Sequence, residues 1–169
     1  TLFRSWDFKP YVYPVIIDNM MNLELLHWVS DNGGDQKFKE IAITHANTTI
    51  KNHYRPNYSA FHVIDYDLET KQVIAKKNHQ GNADSSSWSR GQSWGLYGFT
   101  MMYRFAKDKR YLDQARNIAA FLLNHPNMPS DKIPYWDYDA PGIPNALRDA
   151  SAASIMASAL LELAQYTRS

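Results

Sequence analysis

The sequence predicts an all-α fold, a stack of helical hairpins carrying one small inserted β-hairpin, and three observations support this. The pattern Asp35-x-x-Phe38-x-x-x-Ala42-x-x-x-Ala46 returns 73 residues later as Asp108-x-x-Tyr111-x-x-x-Ala115-x-x-x-Ala119. Self-similarity of this kind marks repeated hairpins that bury their apolar faces against one another. Apolar residues recur at helical spacing along most of the chain, whereas one stretch near residues 58–78 changes to period two. A content of 44% hydrophobic and 14% aromatic residues over 169 positions supplies one packed core.

The elements follow in order. After a proline-punctuated start at Pro10 and Pro14, residues 17–30 carry Leu23, Leu26 and Val29 at helical spacing and stop at Asp31-Asn32-Gly33-Gly34. A second helix over residues 36–53 buries Phe38, Ala42, Ala46 and Ile50, which completes the first hairpin. Phe61, Val63 and Tyr66 then face Val73 and Ala75 across the turn Asp67-Leu-Glu-Thr, the inserted β-hairpin. A polar loop over 80–87 leads into the second repeat, helices over 90–106 and 109–123, with Trp94, Tyr97, Met101 and Phe105 as an inner stripe. Gly91, Gly95 and Gly98 share one side of that helix and admit another backbone closely. A loop containing Pro134-Tyr-Trp136-Asp137 precedes a fifth helix over 149–167, with Asp149 as its N-cap. Five helices with the last unpaired leave apolar faces uncovered, so the chain is expected to be a fragment of a larger array.

Composition excludes several classes of function. A net charge of +1 with interspersed signs gives no footprint for nucleic acid or an anionic membrane. The absence of cysteine excludes disulfides and thiolate metal sites and is compatible with cytoplasm or periplasm. No apolar run approaches the roughly 20 residues of a membrane span. The six histidines show no metal-ligand spacing, so no metal is expected. No phosphate-binding glycine loop, dinucleotide fingerprint or serine elbow occurs, so no cofactor is expected.

Several residues are candidates for chemistry. Arg90 and Trp94 lie four apart at a helix start and Trp88 just precedes it. A guanidinium forks onto a carboxylate and indole faces stack on sugar rings, so the cluster suits an acidic sugar. Two core tryptophans and a capping arginine fit the spacing equally well. Asp18 lies among Ile17, Met20 and Met21 at the start of the first helix, either as a helix cap or as an acid whose pKa apolar neighbours raise. His62 in the β-hairpin, on the face opposite Phe61 and Val63, and Gln80 in the loop are neutral hydrogen-bonding groups with equally structural explanations. Tyr135-Trp136-Asp137-Tyr138 reads as a structural plug rather than a cleft lining.

Four segments stand in order along the chain, Val15-Ile-Ile-Asp18-Asn-Met-Met-Asn-Leu, Phe61-His62-Val-Ile-Asp-Tyr-Asp, His79-Gln80-Gly and Trp88-Ser-Arg90-Gly-Gln-Ser-Trp94-Gly-Leu-Tyr-Gly, with Asp149-Ala-Ser-Ala-Ala following them. In this order they resemble the unsaturated glucuronyl hydrolases, glycoside hydrolase family 88. The resemblance implies that residues 1–169 are part of an (α/α)6-barrel catalytic domain, without the N-terminal and C-terminal helices of the complete domain. It implies Asp18 as the catalytic acid, and His62, Gln80, Trp88, Arg90 and Trp94 as lining the substrate pocket. The implied partner is an unsaturated oligosaccharide from a glycosaminoglycan or similar acidic polysaccharide. The implied reaction hydrates the C4=C5 bond of a terminal 4,5-unsaturated glucuronic acid and so releases the neighbouring sugar. The family's second aspartate and its C-terminal substrate contacts fall outside this chain, so the fragment alone is expected to be inactive. The sister family acting on unsaturated rhamnogalacturonides is the nearest alternative, disfavoured by the segments around His62 and Gln80. A non-catalytic helical-repeat module that binds acidic glycans is the alternative of a different class.

Overall fold

A computed structural model describes residues 11–167. Its elements are β1 (Pro14–Ile16), α1 (Asn19–Asp31), α2 (Lys37–His53), β2 (Val63–Tyr66), β3 (Val73–Lys77), α3 (Ser89–Ala106), α4 (Lys109–Asn124) and α5 (Ala150–Thr167). The expected start at Pro10 lies outside the described residues.

The repeat is visible in the helix starts. Asp35 accepts a hydrogen bond from the Lys37 amide at 2.9 Å, and Asp108 accepts one from the Arg110 amide at 2.9 Å. A short carboxylate thus satisfies a free N–H at the same place in both hairpins. The α1–α2 turn closes where Gly33 adopts φ +90° and the Gly34 amide reaches back to the Val29 carbonyl at 2.8 Å.

The helices form two layers. α1, α3 and α5 lie side by side and parallel: Ile17 and Met20 contact the glycine face at the start of α3, Arg90 meets Asp149, and Arg104 meets Glu162 fourteen residues further along α3. α2 packs on α1 and α4 on α3 as the second layer, joined where the Tyr111 hydroxyl donates to Asn47 at 3.0 Å. Ala42, Ala46, Ala115 and Ala159 line the seam between layers, and Leu23, Leu96, Phe99, Ile118, Leu122 and Met156 fill it. Each of these large side chains contributes about 1.5–3 kcal/mol by leaving water.

α3 does not carry the single inner stripe expected of it. It is buried on nearly every side from Gly91 to Met102, because α1, α4 and α5 all pack against it, while Trp94, Tyr97 and Phe105 are half-buried. Its three glycines do face a close neighbour: a Cβ on Gly98 would stand 2.4 Å from the Met20 Cβ, and one on Gly91 would stand 3.1 Å from Ile17.

The expected β-hairpin is two strands of a three-stranded antiparallel sheet in the order β1-β2-β3. Pro14 pairs with Asp65, Val15 with Ile64 and Ile16 with Val63, and β3 flanks β2 on the other side with a bulge at Asp65 and Tyr66. As the central strand, β2 buries Val63, Ile64 and Asp65 in succession, so alternation is lost there and only β3 alternates. β1 escapes a reading by pattern because it is three residues long and opens with proline. Its register reaches one step beyond the strand, where the Ile17 amide donates to the His62 carbonyl at 3.0 Å.

Candidate functional site

The parallel inner layer puts the first turns of α1, α3 and α5 at one end of the molecule, and the candidate residues gather there. Asp18 immediately precedes α1, yet its side chain makes no capping hydrogen bond. Its Oδ2 is buried without a hydrogen-bond partner. Burial raises its pKa from 3.8 to about 6, against the opposing pull of its own backbone amide and of the Arg90 charge. A carboxyl with one buried oxygen left unbonded and driven toward its neutral form is an acid poised to give up a proton.

His62 stands beside it because of the sheet register. The bond from Ile17 to the His62 carbonyl aligns the two chains, and His62 Nε2 lies 3.6 Å from Asp18 Oδ2. The ring is fully buried rather than lying on an open face of a hairpin. Burial, reinforced by His79 and His53, lowers its pKa to about 3, so the imidazole is neutral. The Gln80 amide donates to Nδ1 at 3.2 Å, which leaves Nε2 as the protonated nitrogen facing the carboxyl. The Gln80 side-chain amide is 3.5 Å from the same Nε2. Asp18, His62 and Gln80 therefore form one polar group.

The aromatic and cationic cluster divides. Trp88 is only 4% exposed and lies 4.4 Å, centroid to centroid, from the His62 ring, so it walls the histidine. Arg90 also lies over that indole, 5.5 Å from the ring centroid. Its Nε and Nη2 donate to Asp149 Oδ2 at 3.1 and 2.9 Å. Trp94 does not join Trp88. It meets the Tyr97 ring edge-on at 6.1 Å and lines a shallow cleft of about 330 Å³ with Ser154, Ile155 and Ser158 of α5. Among the described residues no group of three or more histidines and carboxylates stands close enough to hold a metal ion.

No family model matches the chain. Over 166 residues, 97% of its length, it is 52% identical to the unsaturated glucuronyl hydrolase of Formosa agariphila. Over 157 residues, 91% of its length, it is 35% identical to the unsaturated chondroitin disaccharide hydrolase of Streptococcus agalactiae. The crystal structure of an unsaturated glucuronyl hydrolase specific for heparin superposes with a TM-score of 0.93 at 50% identity, over 98% of this chain and 44% of that one. Over nearly all of its length the chain is similar to unsaturated glucuronyl hydrolases. It spans about two fifths of the two relatives, 42% of the first and 38% of the second.

Two features of the site are invisible to local pattern. Asp149 reads in the sequence as a helix cap and does accept from the Ala152 amide at 2.9 Å, but the same carboxylate holds Arg90. Gln92 carries no pattern signal at all. It is buried and clasps both backbone groups of Ala60 at 2.7 and 3.0 Å, tying α3 to the chain that leads into His62.

The loop Tyr135-Trp136-Asp137-Tyr138 packs inward, with Asp137 fully buried. Asp137 accepts from the Asn82 amide, the Ser86 hydroxyl and the Asp139 amide at 2.9, 2.7 and 2.9 Å, and so binds the loop after Gln80 to the loop before α5. Asp137→Ala is expected to cost about 2–4 kcal/mol in a denaturant titration, because it removes three charge-assisted bonds and takes a partner from the buried Ser86 hydroxyl. A change below about 1 kcal/mol would show that the two loops hold without it.

Proposed function

We propose that the protein containing this chain hydrates the C4=C5 bond of a terminal 4,5-unsaturated glucuronic acid and thereby releases the neighbouring sugar. The observation that carries this reading is the partnerless, buried oxygen of Asp18, with its pKa near 6, beside a neutral histidine. The alkene is an enol ether, so one acid placed at C4 suffices and no second flanking carboxylate is required. The Asp18 carboxyl donates its proton to C4, and positive charge develops at C5 and the ring oxygen. The resulting carboxylate takes a proton from water as that water adds to C5. The hemiketal so formed opens to a keto acid, and the glycosidic oxygen leaves with the neighbouring sugar. His62 Nε2–H and Gln80 orient the water or a hydroxyl, and Trp88 holds the imidazole in place. Arg90 binds the uronate carboxylate, and the exposed part of Trp94 stacks on the sugar.

The first turns of three helices converge on this end, and their dipoles favour an anionic substrate. Identity is higher to the heparin-specific enzyme, at 50%, than to the chondroitin enzyme, at 35%, which favours a heparin-derived disaccharide as first substrate. The alternation of an inner parallel layer with an outer one supports reading the chain as part of the six-hairpin (α/α)6 barrel of this family, lacking helices on both sides. Leu25 and Trp28 on α1 and Leu161 on α5 are 63%, 58% and 74% exposed, which fits uncovered edges of such a barrel.

The test follows loss of the ultraviolet absorbance of the conjugated alkene. With a heparin-derived unsaturated disaccharide, kcat of the intact protein is expected to fall as pH rises through about 6, because only protonated Asp18 can donate. A profile that stays level from about pH 5 to 8 would remove Asp18 as the acid, and no absorbance loss at any pH would remove the hydrolase reading.

A further inference from the structure

We propose that Asp149 is a positioning residue of this site: it grips Arg90 by its Nε edge and so turns the free edge of the guanidinium toward a uronate carboxylate bound beside Asp18. The proposal rests on the hydrolase reading for the identity of the anion. Asp149 Oδ2 accepts from Nε and Nη2 of Arg90, while its Oδ1 accepts from the Ala152 amide. Its side chain is 5% exposed, whereas that of Arg90 is 41% exposed. A guanidinium has five N–H donors, and Asp149 engages two of them. The remaining three, on the Nη1 side, have no protein partner among the described residues, and the plane is held against the Trp88 ring. One edge locked and the other open is the geometry that receives a carboxylate through two parallel bonds.

Asp149 does this because it is also the N-cap of α5. Bound to the first turn of its own helix, the carboxylate has no freedom to swing, so the start of α5 acts as a fixed bracket for the start of α3. The same contact sets the field at Asp18. Arg90 faces it from α3 and neutral His62 from the sheet, with His53 of α2 and His79 flanking His62 and Asp149 of α5 compensating Arg90. Without Asp149, the full charge of Arg90 would favour the Asp18 carboxylate and lower its pKa.

The experiment compares the intact wild type with Asp149→Asn, which keeps a good N-cap and nearly the same volume but loses the charge. Asp149→Ser, also a good cap, supplies the same comparison should the first variant fail to fold. Two readouts are taken: steady-state turnover of an unsaturated heparin disaccharide, and a carboxyl carbon NMR titration of Asp18, which requires no substrate. The expected result is a KM raised about tenfold or more with kcat changed less, and an Asp18 titration displaced to lower pH. In an Arg90→Ala background the Asn substitution is expected to add less than about twofold, since the two act as one unit. A helix-capping role alone would leave the melting temperature, KM and the titration nearly unchanged, since Asn and Ser cap about as well as Asp. An active wild type with KM and the Asp18 titration unchanged in Asp149→Asn overturns the proposal. A wild type that leaves the alkene untouched, while Asp149→Asn still displaces the Asp18 titration, overturns the hydrolase reading and upholds the coupling of Asp149 to Asp18 through Arg90.

Discussion

Asp18→Asn in the intact protein is expected to lower kcat by about 10²- to 10⁴-fold, the usual contribution of a positioned general acid, with little change in KM. The amide cannot donate to an alkene carbon, yet it fills the same volume beside His62. The same substitution is expected to stabilise the fold at neutral pH. The folded carboxyl has its pKa raised from 3.8 to about 6 by burial, so the native state binds more protons than the unfolded chain between about pH 4 and 6. Stability therefore falls as pH rises through that window and stays lower above it. A displacement of roughly two pKa units corresponds to about 3 kcal/mol. Asp18→Asn should recover up to that amount above about pH 6 and nothing below about pH 4. Thermal melts across pH, paired with the absorbance assay, check both halves. A variant that loses activity without gaining stability at neutral pH would mean that Asp18 is solvated in its charged form, and one that keeps its activity would remove it from the reaction.

Gly98→Val is expected to be the most destabilising single change on α3, by about 3 kcal/mol or more. A Cβ at this position would stand 2.4 Å from the Met20 Cβ and 3.3 Å from the Met20 backbone, so the obstacle is the stem of a residue and its main chain rather than a flexible tip. α1 must move away from α3 to make room, and overpacking of this kind costs about 1–3 kcal/mol before the lost contacts of Met20 and Leu96 are counted. The gain in helix propensity over glycine, under about 1 kcal/mol, does not offset it. Because Asp18 stands at the head of α1, the displacement also separates the acid from His62, and a shift of about 1 Å there is worth about 10²-fold in rate. Denaturant unfolding and kcat/KM read the two effects. Near-native values of both would mean that the helices pack less closely than these distances require.

The helices were legible because their information is local. Apolar spacing, the glycine stop at Gly33 and the capping Asp149 placed their ends to within one or two residues. The glycine face of α3 was legible for the same reason, since three small residues on one side announce a close neighbour. β1 was not. Three residues that begin with Pro14 carry no period, and β2 masks its own alternation because neighbours on both sides bury it. The inner stripe of α3 was misread because a helix surrounded by α1, α4 and α5 has no single buried side. Asp18 looked odd in the sequence, a carboxylate in apolar surroundings, but capping and acid chemistry predict the same local pattern there. Only the missing cap bond and the partnerless Oδ2 separate them.

By itself the sequence determined the hairpin repeat, the limits of five helices and the residue types that chemistry would draw on, because each follows from neighbours within a few turns of chain. The tertiary structure decided which of those residues meet. His62 reaches Asp18 through a strand register spanning more than forty residues, Arg90 is held by a carboxylate 59 residues away, and Trp94 parts from Trp88 because six residues, nearly two helical turns, set them against different neighbours. Register and layer packing depend on every element at once, and no local spacing encodes them.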